Sequence, residues 1–306
     1  MSRNIVQIII MGSHLMLLLL IILLFNGNKN HTVVSIDVKE PFILGECDGG
    51  LGNRLRVLAS YIVFAETLYN NSLLYFIWQN NTDCPAHYDD LFLPIHRVHI
   101  INSTNDIEEL SKHPLLLEKF HNNRGNFDYN MGLKDIPKRH WKWFKRHTYG
   151  MINPVPSIMN KAKAFLDHHD LCKNSFLAMH VRRTDFMGGM QLWNYWKFTN
   201  DSLPGQKVLL MADNPVAQNY LLNEFNTNGV DKIIVVEKMK LFNNETLSAL
   251  PKAYRHTSVE TALVEVVIAV YSSKFLDTGG SSFSELVKAL WGRKIDWALC
   301  PHTSLT

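Results

Sequence analysis

The stretch FLAMHVRRTD, residues 176–185, is an apolar run that ends abruptly in two arginines and, two residues on, an aspartate. Read as a strand, its first six residues suit the interior of a sheet, where unpaired charge is costly. Arg182 and Arg183 therefore belong to the carboxyl end of that strand, where the chain leaves the sheet. The pattern continues downstream: residues 207–212, 232–237 and 274–277 read as strands, and residues 215–225, 259–272 and 284–290 as helices. Strands alternating with helices predict a parallel, Rossmann-like α/β layer, with ligands beyond the carboxyl ends of the strands. The turns at Asp213-Asn214-Pro215 and Gly279-Gly280-Ser281-Ser282 each follow such a strand end, so they are predicted to face one crevice with the arginine pair.

Working back toward the amino terminus, Phe42-Ile43-Leu44 reads as a short strand ending in a glycine turn. Leu51, Leu55, Leu58, Ala59, Ile62, Val63 and Leu68 then fall at helical spacing. Residues 73–78 and 98–101 are further strand candidates, and residues 157–171 a helix. Between them, residues 102–155 show no clean period and receive no assigned structure. No internal repeat is visible.

A chain of 306 residues, 46% hydrophobic and 19% charged, can bury a large core in one large or two modest domains. The net charge of +3 is spread over scattered Lys and Arg, which gives no basic tail for nucleic acid. Residues 5–25, IVQIIIMGSHLMLLLLIILLF, carry no Asp, Glu, Lys or Arg. About 20 apolar residues cross a bilayer, whereas a cleavable signal has about 7–15 and a small-residue cleavage site. The predicted order is therefore a cytosolic tail (1–4), a transmembrane signal anchor (5–25), a stem (26–40) and a lumenal body from residue 41, the single-pass type II arrangement of a Golgi or endoplasmic reticulum membrane protein. Asn-x-Ser/Thr triplets at Asn30, Asn70, Asn80, Asn102, Asn200 and Asn244 agree with a lumenal body. Cys47, Cys84, Cys172 and Cys300 are widely spaced without C-x-x-C, so no zinc or redox motif is indicated, and disulfide pairing stays open.

Guanidinium forks match phosphate oxygens, and Arg182 with Arg183 can hold a diphosphate bidentately. Asp185 would orient one of them, and His180 would offer a ring nitrogen to a base or ribose. The rival reading is an Arg–Asp pair that ties a loop to the surface. Gly49-Gly50-Leu51-Gly52-Asn53-Arg54 joins strand to helix, a natural anion site of backbone N–H groups, although a ligand-free tight turn has the same form. It is neither a Walker loop nor a G-x-G-x-x-G turn. Ser281-Ser282-Phe283-Ser284 supplies hydroxyls before a helix, or a cap formed by Ser284 with Glu285. No D-x-D triplet provides paired carboxylates for a metal-held sugar nucleotide. The cluster Asp167-His168-His169-Asp170 reads as a solvated helix end, since consecutive side chains on a helix diverge.

Taken together, HVRRTDF at residues 180–186 resembles the arginine motif of the fucosyltransferase superfamily that unites α1,2-, core α1,6-, nodulation-type and protein O-fucosyltransferases. GGLGNRL at residues 49–55 is similar to its glycine motif, LLMADNP at 209–215 to its acidic turn, and SSFS at 281–284 to its serine-phenylalanine-serine motif. The resemblance implies a GT-B-like α/β fold of two Rossmann-like domains facing a cleft (41–170 on the acceptor side, 171–306 for the GDP-sugar). It implies GDP-fucose as donor, a glycan or glycoprotein acceptor, inversion at the anomeric carbon, and no cofactor or metal. It places Arg183 or Arg182 on the departing phosphate, His180 on the guanine or ribose, and Ser282, Phe283 and Ser284 at the phosphates. Glu265, chosen by its spacing, takes the carboxylate position that reads guanine N–H groups; Asn53 and Arg54 lie at the cleft between the domains, and with Gly50, Gly52 and Asp213 they are expected to bind the donor. Asn214 departs from the family's second aspartate, a body of this size is small for GT-B, and the coiled-coil stem and SH3-like extension of the core α1,6 enzymes are missing. Another nucleotide-sugar transferase, or an inactive membrane-anchored glycan-binding protein, are the alternative readings.

Overall fold

The computed structural model describes residues 37–120, 138–182, 192–200, 205–213, 215–227, 232–236, 257–277 and 281–291. Residues 38–306 belong to one compact unit. Its first sheet comprises β1 (Phe42–Glu46), β2 (Leu73–Ile77), β3 (Val98–Ile101) and β4 (Leu116–Phe120). Helices α1 (Leu51–Thr67) and α2 (Thr104–Ser111) connect strands within it, and α3 (Lys138–Met151) and α4 (Pro156–His168) follow it. The second sheet comprises β5 (Leu177–Val181), β6 (Val208–Ala212), β7 (Ile233–Ile234) and β8 (Lys274–Leu276). The helices of this half are α5 (Leu192–Asn200), α6 (Pro215–Thr227), α7 (Val259–Ala269) and α8 (Ser282–Leu290). Both sheets are parallel, and they share one strand order, β3-β2-β1-β4 and β7-β6-β5-β8.

In each sheet the first strand is central, and the order reverses on its far side. Outside the carboxyl end of that strand lies the switch point at which open α/β sheets bind ligands. The α/β expectation thus stands, with parallel strands in both halves.

Residue alternation sets the faces of the second sheet. Leu177, Met179 and Val181 of β5, with Val208, Leu210 and Ala212 of β6, pack against Tyr195 of α5 and Leu221 and Phe225 of α6. Ala178, Leu209 and Met211 point the other way, into the large cluster shared with α1, α4, α7 and α8. His180 falls in register with that second set, so the period of two turns its ring toward α8. Helix α1 is buried all round: all but four of its 17 residues are inaccessible. A helix apolar on every side is an interior helix, and α1 packs against β1, β2, α3 and α8.

Three details differ from the sequence reading. The segment given no structure contains α2, β4 and α3. β4 (LLEKF) is an edge strand with Leu117 48% exposed, so it lacks the clean alternation of a half-buried strand. β7 pairs over only two residues, Ile233 and Ile234, and part of the longer strand predicted there lies outside the described residues. Helix α8 begins at Ser282, and its cap is Ser281, whose side chain accepts from the Ser284 amide, rather than Ser284 itself. The anchor predicted over residues 5–25 lies outside the described residues, and among those described no helix is long and apolar enough to cross a membrane.

Candidate functional site

β1 is buried, and after it the chain turns through Gly49, whose φ of +95° is open to glycine and strained for other residues. Helix α1 then starts at Leu51 with Gly50 as its N-cap, no side-chain cap hydrogen bond and no acidic residue in its first turn. Its first amides, with about half a unit of positive helix-end charge, are thus open to an external acceptor. From the other half, β8 leads to Ser281 and the start of α8. The two helix starts meet: a Cβ placed on Gly52 would stand 2.7 Å from the Ser282 carbonyl carbon and 2.8 Å from the Phe283 amide nitrogen. Only a residue without a side chain permits this approach.

Beside this meeting point lies a cavity of about 140 Å³. Gly50, Leu51 and Gly52 form one wall, His180, Arg182, Ala212 and Asp213 another, and Ser281, Ser282 and Phe283 a third. Thr257, Val259, Ala262 and Glu265 close it from α7 and the turn before it. The His180 ring is 4% exposed, with Nδ1 2.9 Å from the Ser284 hydroxyl, and it stacks on Phe283 with ring centres 4.5 Å apart. Ser284 thus aims the imidazole, and Phe283 fixes its plane. Asp213 continues β6, its amide donating to the Val181 carbonyl, and its own carbonyl accepts from the Thr257 hydroxyl at 3.2 Å. Glu265 is 2% exposed and so brings a carboxylate to an otherwise apolar stretch of α7.

Of the residues singled out in the sequence, the fold brings Gly50, Gly52, His180, Arg182, Asp213, Glu265, Ser282 and Phe283 to one cavity. Arg183 and Asp185 lie outside the described residues. Three others stand behind the wall. Ser284 reaches the site through His180. Asn53 accepts from Arg56. Arg54 is fully buried, and its guanidinium donates to the carbonyls of Gly49 (2.7 Å) and Gln79 (2.5 Å) and to the Asn81 side chain (2.9 Å), with its carbon 5.2 Å from the centre of the Trp78 ring. It braces the turn before α1 and the loop after β2.

Thr82, Asp83 and Pro85, from that loop, also line the cavity. Sequence reading passed over them because the only motif in this polar segment, the Asn80-Asn81-Thr82 triplet, points to glycosylation rather than to a ligand site. The one signal was Asn81-Thr82-Asp83, which has turn composition directly after an apolar strand. Among the described residues no group of three or more His, Cys, Asp or Glu is placed to hold a metal ion.

No protein-family model and no curated protein matches the chain. Solved structures do. Fucosyltransferase NodZ from Bradyrhizobium superposes with a TM-score of 0.52 at 14% identity over 83% of this chain and 94% of that one. The NodZ α-1,6-fucosyltransferase soaked with GDP-fucose gives 0.51 at 16% identity, over 83% and 93% of the two chains. The chain has the NodZ fold. A further NodZ structure, co-crystallised with GDP, gives a TM-score of 0.50 at 14% identity. The shared architecture extends over nearly the whole of NodZ.

Proposed function

We propose that the protein is an inverting glycosyltransferase that moves fucose from GDP-fucose to a hydroxyl of a glycan or glycoprotein. Its two sheets would be the cores of the two Rossmann-like domains of a GT-B enzyme, 41–170 on the acceptor side and 171–306 on the donor side. The observation that carries the reading is the meeting of the α1 and α8 starts beside Arg182. A departing diphosphate accumulates negative charge, and prearranged amides, hydroxyls and a guanidinium stabilise it without reorganising.

Arg182, joined by Arg183, would take the phosphates together with the amides of α1 and α8. Ser282 would add its hydroxyl. His180, held by Ser284 and Phe283, would meet the nucleoside, and the Glu265 carboxylate would accept the guanine N–H groups. That last pairing gives a reason for a buried carboxylate on α7 and a means to prefer guanine over uracil. Residues 5–25 would anchor this body in a Golgi or endoplasmic reticulum membrane with the catalytic part in the lumen.

The test is a thermal-shift series on the lumenal body with GDP and UDP. A ligand at 100 times its Kd adds about 2.7 kcal/mol of stability, a rise of several degrees. GDP is expected to stabilise and UDP not, and Arg182→Ala is expected to abolish the GDP effect while leaving the ligand-free transition in place. Stabilisation by UDP would assign the scaffold to another donor. GDP stabilisation with no turnover of GDP-fucose would mark a binding protein.

A further inference from the structure

Four carboxylate- or imidazole-bearing residues line the cavity: Asp83, His180, Asp213 and Glu265. Three of them come from the second half. His180 is tied to Ser284, Asp213 sits at the end of β6, and Glu265 is buried on α7. Asp83 alone comes from the first sheet's half, on the loop after β2, and it is exposed where the others are buried or half-buried. Of the four, Asp83 is the one open to a group arriving from solvent.

The backbone under Asp83 is held firmly. The Asn81 side-chain oxygen accepts from the Asp83 amide (3.1 Å), from the Cys84 amide (3.1 Å) and from the Arg54 guanidinium (2.9 Å). Arg54 grips the same loop again at the Gln79 carbonyl. Below it, the Trp78 indole donates to the Ala86 carbonyl at 2.9 Å. A fully buried arginine, costly to desolvate, is thus used on a surface loop whose tip carries a carboxylate into the cavity. Among the described residues no cation forms an ion pair with Asp83.

We propose that Asp83 is the general base for the acceptor and that Arg54, through Asn81, is its positioning residue. This rests on the glycosyl-transfer reading above. In the step, the acceptor oxygen forms its bond to the anomeric carbon as the bond from that carbon to the diphosphate oxygen breaks. The electron pair leaves with GDP, and the hydroxyl proton passes to the Asp83 carboxylate.

The experiment measures GDP release from GDP-fucose, with water as the acceptor, in the presence and absence of azide. Azide is already an anion and needs no base, so it separates loss of a base from loss of donor binding. Asp83→Asn is expected to lower GDP release on the order of 100-fold, as removal of a general base does. It is also expected to lose the acid limb of the pH profile, to keep the thermal shift with GDP, and to recover in azide with formation of fucosyl azide. Asn81→Ala, a milder change than any at buried Arg54, is expected to lower turnover while keeping the pH profile and the GDP shift. Unchanged turnover in Asp83→Asn, or a loss that azide does not restore, would overturn the assignment. So would azide rescue of Glu265→Gln in its place. A wild-type protein that neither binds GDP nor releases it from GDP-fucose would instead remove the transfer reading on which the assignment rests.

Discussion

Gly52 in the first turn of α1 and Ser282 in the first turn of α8 meet backbone to backbone, though 230 positions separate them, and a single methyl on Gly52 would fall 2.7 Å from the Ser282 carbonyl carbon. This contact joins the glycine turn of one half to the serine turn of the other. Both residues also line the cavity beside it.

Gly52→Ala tests that contact. Alanine favours a helix interior by about 1 kcal/mol over glycine, but besides the Ser282 hydroxyl it would strike two main-chain atoms of α8, which yield only if the helices part. Overpacking of that kind costs about 1–3 kcal/mol. The expected result is a net loss of stability in urea unfolding together with a weaker thermal shift from GDP. A variant more stable than the parent would show that the contact is slack.

Ser284→Ala isolates the hydrogen bond that aims His180. Both side chains are buried, and the cap of α8 is unaffected because its donor is the Ser284 amide rather than the hydroxyl. Removing one partner of a buried pair costs about 1–3 kcal/mol. Chemical denaturation is expected to register that loss, and the affinity for GDP to fall with it as the ring loses its orientation against Phe283. Equal stability of the two proteins would show that the imidazole does not depend on Ser284.

Where burial is symmetric, the sequence was easy to read. β1, β5 and β6 are buried along nearly their whole length and so read as apolar runs, and α1 stood out because its apolar residues fall at helical spacing after a glycine turn. Clustering of Arg182, Asp213 and Ser282 was legible for a topological reason: each follows a strand end of the second sheet, and a parallel sheet gathers those ends on one side. β4 was hidden because edge strands keep charge and exposed apolar residues, here Glu118 and Leu117. α3 was hidden because Lys, Arg, His and Trp crowd its solvent side, while Thr148 and Tyr149 face the core. Arg54 was read as part of the ligand site since it belongs to a glycine motif. Whether an arginine serves a ligand or a loop depends on where the chain returns 25 residues later, at Gln79, and no local pattern encodes that.

Glu285 offers a test of how the helices of the two halves are held together. It lies on α8, and its carboxylate accepts from Arg56 of α1 at 3.2 Å and from Lys145 of α3. Burial alone would push its pKa up. The hydrogen bond and charge of Lys145, with the charge and hydrogen bond of Arg56, outweigh that and hold the group below its ordinary value. The folded state therefore binds this proton less readily than the unfolded chain, whose glutamates titrate near ~4.3. The stabilisation is complete above that value and is lost as pH falls through the lower folded value. Glu285→Gln is accordingly expected to lower the melting temperature at pH 7, where the wild-type carboxylate is ionised. The gap should narrow below about pH 4, where the wild-type group begins to take up its proton. Melting curves of both proteins from acid to neutral pH check this, and a gap of constant size across that range would show that the two cations do not set the ionisation of Glu285.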